Sequence, residues 1–303
     1  MRVAAIDCGT NSVRLLIADI DGDVLRDVER RMEIVRLGQG VDRTGRLAPE
    51  ALERTFTAMR GYAELIAKHG ATAVRVVATS ATRDAENRQE FVDGVRGIFG
   101  VEPEVVTGAE EAALSFTGAT KGLALTTPYL VVDIGGGSTE FVVGSDRVES
   151  ALSVDIGCVR LTERHLKDAG DPPSVAALEA VVADIERALD RVTDEVPVER
   201  AHTLVGLAGT VTTVAGIALG LETYDPERIH HAIVSAEKVH EVTRRLVSMT
   251  HGERSEIPVM HPGRVDVIGA GGLILDRIVR RFAFPQVVVS EHDILDGIAW
   301  SVH

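Results

Sequence analysis

The chain has few cysteines and no long apolar run, and each deficit excludes a class of protein. Its two cysteines, Cys8 and Cys158, form no metal-binding spacing and no disulfide framework. No apolar run approaches the roughly 18 residues that indicate a membrane span. The first residues, MRVAAIDCGTNS, contain no signal-peptide core. We therefore expect a reduced, cytoplasmic protein that does not associate with a membrane.

Aromatic residues are also scarce, at 4% of 303 residues, although the hydrophobic content is 45%. The cores must therefore consist mainly of Val, Leu, Ile and Ala, which is typical of α/β proteins with buried parallel strands. A chain of this length is too long for one ordinary core and suits two domains.

Basic residues are outnumbered by acidic ones, 32 to 46, which gives a formal net charge of −14. This balance argues against a nucleic-acid-binding protein, because such proteins present a basic face. It does not exclude a phosphate ligand, because backbone N–H groups and a few local arginines can bind a small anion.

The sequence contains an internal repeat at an offset of 126 residues. Asp7, Gly9 and Ser12 of the first copy align with Asp133, Gly135 and Ser138 of the second, and apolar strand-like residues flank both. Each copy reads as strand, tight polar turn, strand, a second turn and a third apolar stretch. The repeat predicts two similar domains, each beginning with a β-meander.

Strand and helix patterns alternate elsewhere, which indicates mostly parallel sheets covered by helices. Helices are predicted at 48–69, 86–99, 109–121, 174–193, 210–218, 235–248 and 263–282, with a short helix at the end of the chain. Strands are predicted at 73–79, 103–107, 202–208 and 286–290. A hinge at 122–129 divides the chain into domains 1–124 and 125–303, and the last helix is free to pack back on the first domain.

The two repeated turns have the form D-x-G-x-x-S, which presents successive N–H groups and a hydroxyl on one side. Such a concavity binds anions, because glycine lets the backbone approach phosphate oxygens. The leading aspartate repels phosphate but can position a hydrated divalent cation or a water molecule. The alternative is a duplicated fold that keeps its glycines for chain reversal alone, which does not explain the shared Asp and Ser.

Two further segments could add to a phosphate site. Arg83 follows a predicted strand, where α/β sites gather, and its guanidinium could bind phosphate through two hydrogen bonds. A surface salt bridge explains Arg83 equally well. Thr210 lies in GLAGTVTT (206–213), at a predicted strand-to-helix turn whose amides could meet an anion. A plain N-cap explains Thr210 equally well.

Glu110 and Glu111 lie in the predicted first turn of a helix, where the helix dipole favours carboxylates. Capping is the default interpretation of this pair. The functional interpretation is that one of them acts as general base on a water molecule. The ten histidines show no metal-binding spacing, and we interpret His230, His231 and the others as surface or packing residues.

Seven segments together resemble the signature blocks of the exopolyphosphatase and guanosine pentaphosphate phosphohydrolase family, and they extend over nearly the whole chain. These segments are IDCGTNSVRLLI, ATSATRDAENR, TGAEEA, VVDIGGGSTEFV, GCVRLTE, GLAGTVTT and GRVDVIGAG. The resemblance implies an α/β fold of the actin-like, sugar-kinase and Hsp70 ATPase superfamily, with two ribonuclease-H-like domains around an interdomain cleft.

The resemblance also implies Mg²⁺-dependent hydrolysis of a terminal phosphoanhydride, either of inorganic polyphosphate or of guanosine pentaphosphate. It makes Glu111 the catalytic base. It implies phosphate binding by both turns, by Arg83 and by Thr210, with Mg²⁺ or another divalent cation held by acidic residues at the strand ends. The phosphate-binding set is Gly9, Thr10, Asn11, Ser12, Arg83, Gly135, Gly136, Gly137, Ser138 and Thr210. The metal-binding set is Asp133 and Glu140, with Asp7 in support.

The chain departs from longer family members, which carry an additional C-terminal helical region, and has Leu295 where many relatives have arginine. A preference for short polyphosphate is therefore a hypothesis. Polyphosphate ranks before guanosine pentaphosphate, because no guanine-reading motif is visible. An actin-superfamily kinase and a non-catalytic phosphate-binding scaffold are the remaining alternatives. A homodimer is compatible with the fold but has no sequence signal.

Overall fold

The computed structural model describes residues 1–302 and divides into two compact units. The first unit contains Met1–Lys121 together with the C-terminal segment that begins at Asp293, and the second contains Gly122–His292. Each unit is built on its own mixed sheet. Elements are numbered below in chain order.

The first unit has a five-stranded sheet in the order β3-β2-β1-β4-β5. The strands β1 to β3 form an antiparallel meander, and β4 and β5 continue the sheet in parallel. The strands are β1 (Arg2–Cys8), β2 (Ser12–Asp21), β3 (Val24–Ile34), β4 (Ala73–Ala78) and β5 (Glu104–Val105).

Helices cover both faces of this sheet. They are α1 (Val41–Thr44), α2 (Pro49–His69), α3 (Ser80–Asp84), α4 (Arg88–Phe99), α5 (Gly108–Thr120) and α13 (Ile294–Trp300). Successive residues of β1 enter different cores: Ala4 and Ile6 pack in the cluster with α2, while Val3 and Ala5 pack in the cluster with α13. This alternation follows from the two-residue period of a strand, and it makes β1 apolar throughout.

The helix α2 shows how local sequence sets these elements. Pro49 occupies its first turn, where a missing N–H costs nothing, and Gly70 ends it in the left-handed conformation at φ 68°. Its buried residues include Leu52, Met59 and Ile66, which share one face at helical spacing.

The C-terminal helix α13 packs very closely on α5 through glycines. A Cβ atom at Gly118 would lie 1.8 Å from the Asp293 carbonyl oxygen, and one at Gly297 would lie 2.0 Å from the Leu114 carbonyl oxygen. Only glycine permits this backbone approach at either position. The residues of this last helix therefore complete the core of the first unit.

The second unit has a six-stranded sheet in the order β10-β11-β9-β6-β7-β8. Its strands are β6 (Tyr129–Ile134), β7 (Thr139–Gly144), β8 (Val148–Val154), β9 (Thr203–Leu207), β10 (Ile233–Ser235) and β11 (Gln286–Val289). The meander β6 to β8 is followed by two strands parallel to β6, so β8-β7-β6-β9-β11 repeats the order of the first sheet.

The second unit contains seven helices. They are α6 (Cys158–Leu161), α7 (Val175–Glu195), α8 (Ala208–Ala218), α9 (Pro226–Ile229), α10 (Ala236–Ser248), α11 (His251–Ser255) and α12 (Ile268–Arg281). A π-helical turn at Thr162–Leu166 and 3₁₀ turns at Val198–Arg200 and Pro262–Arg264 complete the unit.

The α/β class and the duplicated meander are therefore confirmed. The prediction of one helix over 263–282 is wrong at its start, because a 3₁₀ turn at Pro262–Arg264 precedes α12 and the helix begins at Ile268. The short strand β10 was not predicted, since only its central residue, Val234, is buried.

Candidate functional site

The two polar turns have the same internal hydrogen bond. The Gly9 amide donates to the Ser12 carbonyl oxygen at 3.0 Å, and the Gly135 amide donates to the Ser138 carbonyl oxygen at 3.0 Å. The sequence repeat is therefore a repeat of backbone conformation as well. Each turn joins the first two strands of its unit.

Glycines in neighbouring segments let the backbone pass very close to both turns. In the first unit, Gly38 lies under Thr10, and its amide donates to the Thr10 carbonyl oxygen at 2.8 Å. In the second unit, a Cβ at Gly157 would lie 2.3 Å from the Gly136 carbonyl oxygen. Thr10, Asn11, Gly137 and Ser138 are buried, so the turns are supported parts of the fold rather than mobile loops.

The acidic residue before each turn has a different partner in each copy. Asp7 lies opposite Arg14 in the β1–β2 ladder, and Asp133 lies opposite Glu140 in the β6–β7 ladder. Directly opposed residues of an antiparallel pair share one face of the sheet. The same ladder position therefore holds an acid and a base in the first unit but two acids in the second.

Arg14 bridges two buried carboxylates in the first unit. Its Nε and Nη2 donate to Asp7 Oδ2 at 2.9 and 2.6 Å, and its Nη1 donates to Asp293. Burial raises the pKa of Asp7, although the charge of Arg14 opposes this shift. Burial also acts to raise the pKa of Asp293, but Arg14 outweighs it and lowers that pKa.

Asp133 and Glu140 provide the donor set that best fits a divalent cation. Both are buried, at 7% and 1% exposure, and Ser153 Oγ donates to Glu140 Oε1 at 2.7 Å. Among residues 1–302, no group of three or more His, Cys, Asp or Glu side chains is placed to hold a metal ion. Two carboxylates suit Mg²⁺, which usually keeps several waters and takes substrate phosphate oxygens as further ligands.

Glu110 and Glu111 have separate roles in the first turn of α5. Glu110 completes a capping box, because its Oε2 accepts from the Thr107 amide at 2.8 Å and its own amide donates to Thr107 Oγ1. Glu111 takes no part in this cap and is 7% exposed. The capping interpretation therefore applies to Glu110, and Glu111 needs another explanation.

The surroundings of Glu111 shift its pKa towards neutral pH, which suits a general base. Burial raises its pKa to about 7, and the negative charge of Asp7 acts in the same direction. The Arg83 guanidinium and a hydrogen bond with Thr79 limit the rise, since both favour the ionised carboxylate. A carboxyl group with this pKa exchanges its proton readily near neutral pH.

Arg83 lies on α3, and its side chain does more than form a surface ion pair. Its Nη1 donates to Glu111 Oε2 at 2.8 Å and to the Val106 carbonyl oxygen at 3.1 Å. The ATSATRD and TGAEEA segments therefore lie close together in the first unit. The side chain of Arg83 is 23% exposed, which leaves part of the guanidinium accessible.

The helix-capping interpretation of Thr210 is wrong. The helix α8 begins at Ala208, Leu207 is its N-cap, and no side chain caps it. The Thr210 hydroxyl is buried, with a hydrogen bond to Cys158, and its side chain packs on Gly271. Only the amide of Thr210 remains as a group for an anion, because the first-turn N–H groups of a helix have no intrahelical partner.

Sequence reasoning missed two arginines, one beside the first polar turn and one beside the first turn of α8. Arg264 lies over Gly209 in the first turn of α8, where a Cβ would be 1.9 Å from the guanidinium carbon. Arg14 is the partner of Asp7. The sequence could have identified Arg14, because residues 7 and 14 lie equally far from the centre of the first hairpin turn. Such residues lie opposite each other in an antiparallel pair.

His230, His231 and His292 form a cluster of neighbouring rings. His230 stacks on His231 with ring centroids 3.7 Å apart and lies 4.5 Å from His292, and the Glu291 amide donates to His230 Nδ1 at 3.2 Å. Within the part of the chain that the structure describes, these rings form no candidate metal site. No helix there is long and apolar enough to cross a membrane.

Comparison with known proteins places these features in a family. The chain is 49% identical to exopolyphosphatase 2 of Mycobacterium tuberculosis over an alignment that is 315 positions long. The alignment covers 99% of this chain and 98% of the relative. It superposes on the structure of an exopolyphosphatase-like protein with a TM-score of 0.95 at 44% identity, covering 99% of this chain and 98% of the other. The Aquifex aeolicus Ppx/GppA family member gives a TM-score of 0.84 at 33% identity, with 99% and 97% covered.

The sequence profile of the same family matches residues 16–302, which includes Glu111, Arg83 and the second turn. With this match and the full-length relatives taken together, the chain belongs to the Ppx/GppA phosphatase family.

Proposed function

We propose that this protein is an exopolyphosphatase, which hydrolyses the terminal phosphoanhydride of inorganic polyphosphate and releases orthophosphate. The name of the Mycobacterium tuberculosis relative supports the substrate. The observation that carries the proposal is Glu111, a buried carboxyl group with a pKa of about 7, hydrogen-bonded to Arg83.

Glu111 acts as general base in this reaction. A water oxygen forms a bond to the terminal phosphorus while the bond from phosphorus to the bridging oxygen breaks. Glu111 accepts the proton of the attacking water, and the shortened polyphosphate leaves with the bridging oxygen. General bases of this kind work best when their pKa is close to the operating pH.

Arg83 couples substrate binding to the strength of this base. Its guanidinium lowers the pKa of Glu111 in the free protein. When Arg83 turns toward a phosphate oxygen, Glu111 loses part of that effect and becomes more basic. Substrate binding therefore makes the Glu111 carboxylate a stronger base, while a smaller share of it is ionised at neutral pH.

The two turns bind phosphate through the amides that follow Gly9 in the first unit and Gly135 in the second, because the Gly9 and Gly135 amides already donate within the turns. Their common Gly-to-Ser hydrogen bond fixes the backbone before substrate arrives. Preformed donors of this kind stabilise the charge that develops on the transferring phosphoryl group. The amide of Thr210 supplies a further donor.

Asp133 and Glu140 would hold Mg²⁺, with Asp7 as a weaker candidate because Arg14 already neutralises it. When bound, the cation would neutralise phosphate oxygens of the substrate. Two opposed carboxylates, one of them fixed by Ser153, agree with this role.

One assay separates the alternatives. Orthophosphate release is measured with Mg²⁺ on short polyphosphate, long polyphosphate, guanosine pentaphosphate and ATP in parallel. We expect polyphosphate to be the best substrate and short chains to be preferred over long ones. Better turnover of guanosine pentaphosphate would assign the second candidate substrate, and binding without any phosphate release would indicate a scaffold.

Glu111→Gln provides the critical variant, and Glu110→Gln is its matched control one residue away. We expect Glu111→Gln to lower kcat by about 10²–10⁴-fold while substrate binding stays nearly intact. Glu110→Gln weakens the α5 capping box and therefore lowers thermal stability, but it leaves kcat close to that of the parent. Near-normal turnover by Glu111→Gln would refute the assignment of the base.

A further inference from the structure

An acidic protein that binds a polyanion needs local positive charge, and the formal net charge here is −14. Arg83, the arginine predicted for this purpose, already pairs with Glu111. Backbone amides alone provide partial charges only. Two arginines, Arg36 and Arg160, are attached to the phosphate-binding turns themselves.

Arg160 is attached to the second turn at two points. The amides of Val159 and Arg160 both donate to the Gly136 carbonyl oxygen, at 2.9 and 3.0 Å, and Arg160 Nε donates to the Gly137 carbonyl oxygen at 2.6 Å. The guanidinium therefore lies beside the triple-glycine segment, in line with its half-buried position.

Arg36 has the corresponding attachment to the first turn. The amides of Val35 and Arg36 both donate to the Asn11 carbonyl oxygen, at 3.1 and 2.9 Å. Arg36 has a φ of 52°, which places a non-glycine residue in the left-handed region at an energetic cost. Its side chain is exposed. Glycine or asparagine would adopt this backbone more easily, so the presence of arginine needs a reason.

The two attachments are similar, although the acceptor is Asn11 in the first turn and Gly136, which aligns with Thr10, in the second. In each unit the chain leaves the third strand of the meander and then directs a Val-Arg pair onto the turn, with two successive amides on one turn carbonyl. The aligned repeat did not reveal this, because the Val-Arg pairs lie at different distances from their turns.

We propose that Arg36 and Arg160 are phosphate-binding residues, one beside the turn of each unit, that recognise phosphate groups of polyphosphate. This inference rests on the proposed function for its substrate. The backbone of both arginines is attached to a turn carbonyl oxygen, and Arg160 Nε is held on the Gly137 carbonyl oxygen. The two arginines add positive charge beside the turns of a chain that is acidic overall.

Equilibrium binding of tripolyphosphate in a Glu111→Gln background tests this proposal without turnover. We expect Arg36→Gln and Arg160→Gln each to weaken binding by about tenfold, as loss of a charged hydrogen bond does. Each should also reduce the slope of log affinity against log salt by about one, by analogy with phosphate contacts in nucleic acids. The matched controls are Arg43→Gln and Arg191→Gln, exposed arginines of the same two units that have no contact with a turn.

A purely structural role gives a different result. Arg160→Lys loses the Nε hydrogen bond to Gly137 but keeps a positive charge, so it should retain most of the affinity and the salt slope. If Arg160→Lys is as weak as Arg160→Gln, Arg160 only positions the turn and its part of the proposal is overturned. Unchanged affinity in Arg36→Gln overturns the part that concerns Arg36.

Failure of the two arginines to bind phosphate and failure of the proposed activity give different experimental outcomes. If the parent releases phosphate from polyphosphate while both Gln variants bind like their controls, only this inference fails. If the Glu111→Gln protein binds tripolyphosphate but the parent hydrolyses no polyphosphate, the proposed activity fails and the arginines are still tested. If tripolyphosphate does not bind at all, both are rejected.

Discussion

Arg83 donates a 2.8 Å hydrogen bond to Glu111, joining the turn after β4 to the first turn of α5. This bond opposes the burial that raises the pKa of Glu111 to about 7. Glu111 therefore titrates near neutral pH. Small changes around it alter the fraction that can accept a proton.

Arg83→Gln should displace the pH profile of kcat/KM. The guanidinium is the principal group that lowers the pKa of Glu111, so its removal raises that pKa above 7. Because the ionised carboxylate is the base, the ascending limb of the profile moves to higher pH, and the deficit is largest at acid pH. Arg96→Gln, on α4 of the same unit, serves as the control. An ascending limb that stays in place or moves to lower pH would contradict the assignment.

Glu140→Gln should weaken Mg²⁺ binding in a measurement that does not depend on activity. A ligand that binds only the folded state raises Tm by mass action, so the parent should melt higher with increasing Mg²⁺. Glu140→Gln retains a carbonyl oxygen for the Ser153 hydrogen bond but loses the charge, and we expect it to lose most of this rise. The exposed Glu199→Gln should keep it. An equal rise in Glu140→Gln and the parent would remove Glu140 from the metal-binding set.

Gly118→Ala should destabilise the protein by about 3 kcal/mol, because the new Cβ would lie 1.8 Å from the Asp293 carbonyl oxygen and displace α13. Gly61→Ala is the matched control inside α2, where nothing lies within 4 Å of the new methyl group. That control should be stabilised by about 0.5–1 kcal/mol through its better helix propensity. Urea unfolding measures both, and similar values for the two variants would show that the α5–α13 contact is looser than the structure indicates.

Arg14→Met should destabilise the protein by about 3–5 kcal/mol, since it leaves the buried carboxylates of Asp7 and Asp293 without their common cation. Adding Asp293→Asn should recover part of the loss, because it removes one of the two charges while asparagine can still cap α13. Arg26→Met, at an exposed position of β3, should stay within about 0.5 kcal/mol of the parent. Strictly additive effects of Arg14→Met and Asp293→Asn in chemical unfolding would exclude the coupling.

The sequence was sufficient to predict whatever depends on local pattern. The offset of 126 residues predicted both turns, and helical spacing predicted α2 to within one residue. It also identified Glu110 and Glu111 as a first-turn pair. It could not separate their roles, because the separation comes from Arg83, which is 28 residues away and reaches Glu111 through tertiary packing.

The wrong and the missing predictions also arise from tertiary structure that the local sequence does not show. Thr210 has the residue type of an N-cap, but Ala208 adopts a φ of 68° and starts α8 two residues earlier, which turns the hydroxyl inward. The pairs Val35–Arg36 and Val159–Arg160 carry no motif of their own. They become visible only when the hydrogen bonds to the turns are known.

The placement of α13 has a consequence for biosynthesis. The first unit closes its core with residues from Asp293 onward, although the rest of that unit ends at Lys121. During translation the ribosome must therefore synthesise the whole second unit before the first can bury Val3, Ala5 and Leu16 under this helix. We expect the order of completion to be inverted, with the second unit finished first and the unit that carries Glu111 finished last. A nascent chain would then acquire its proton acceptor in working form only after α13 has been synthesised.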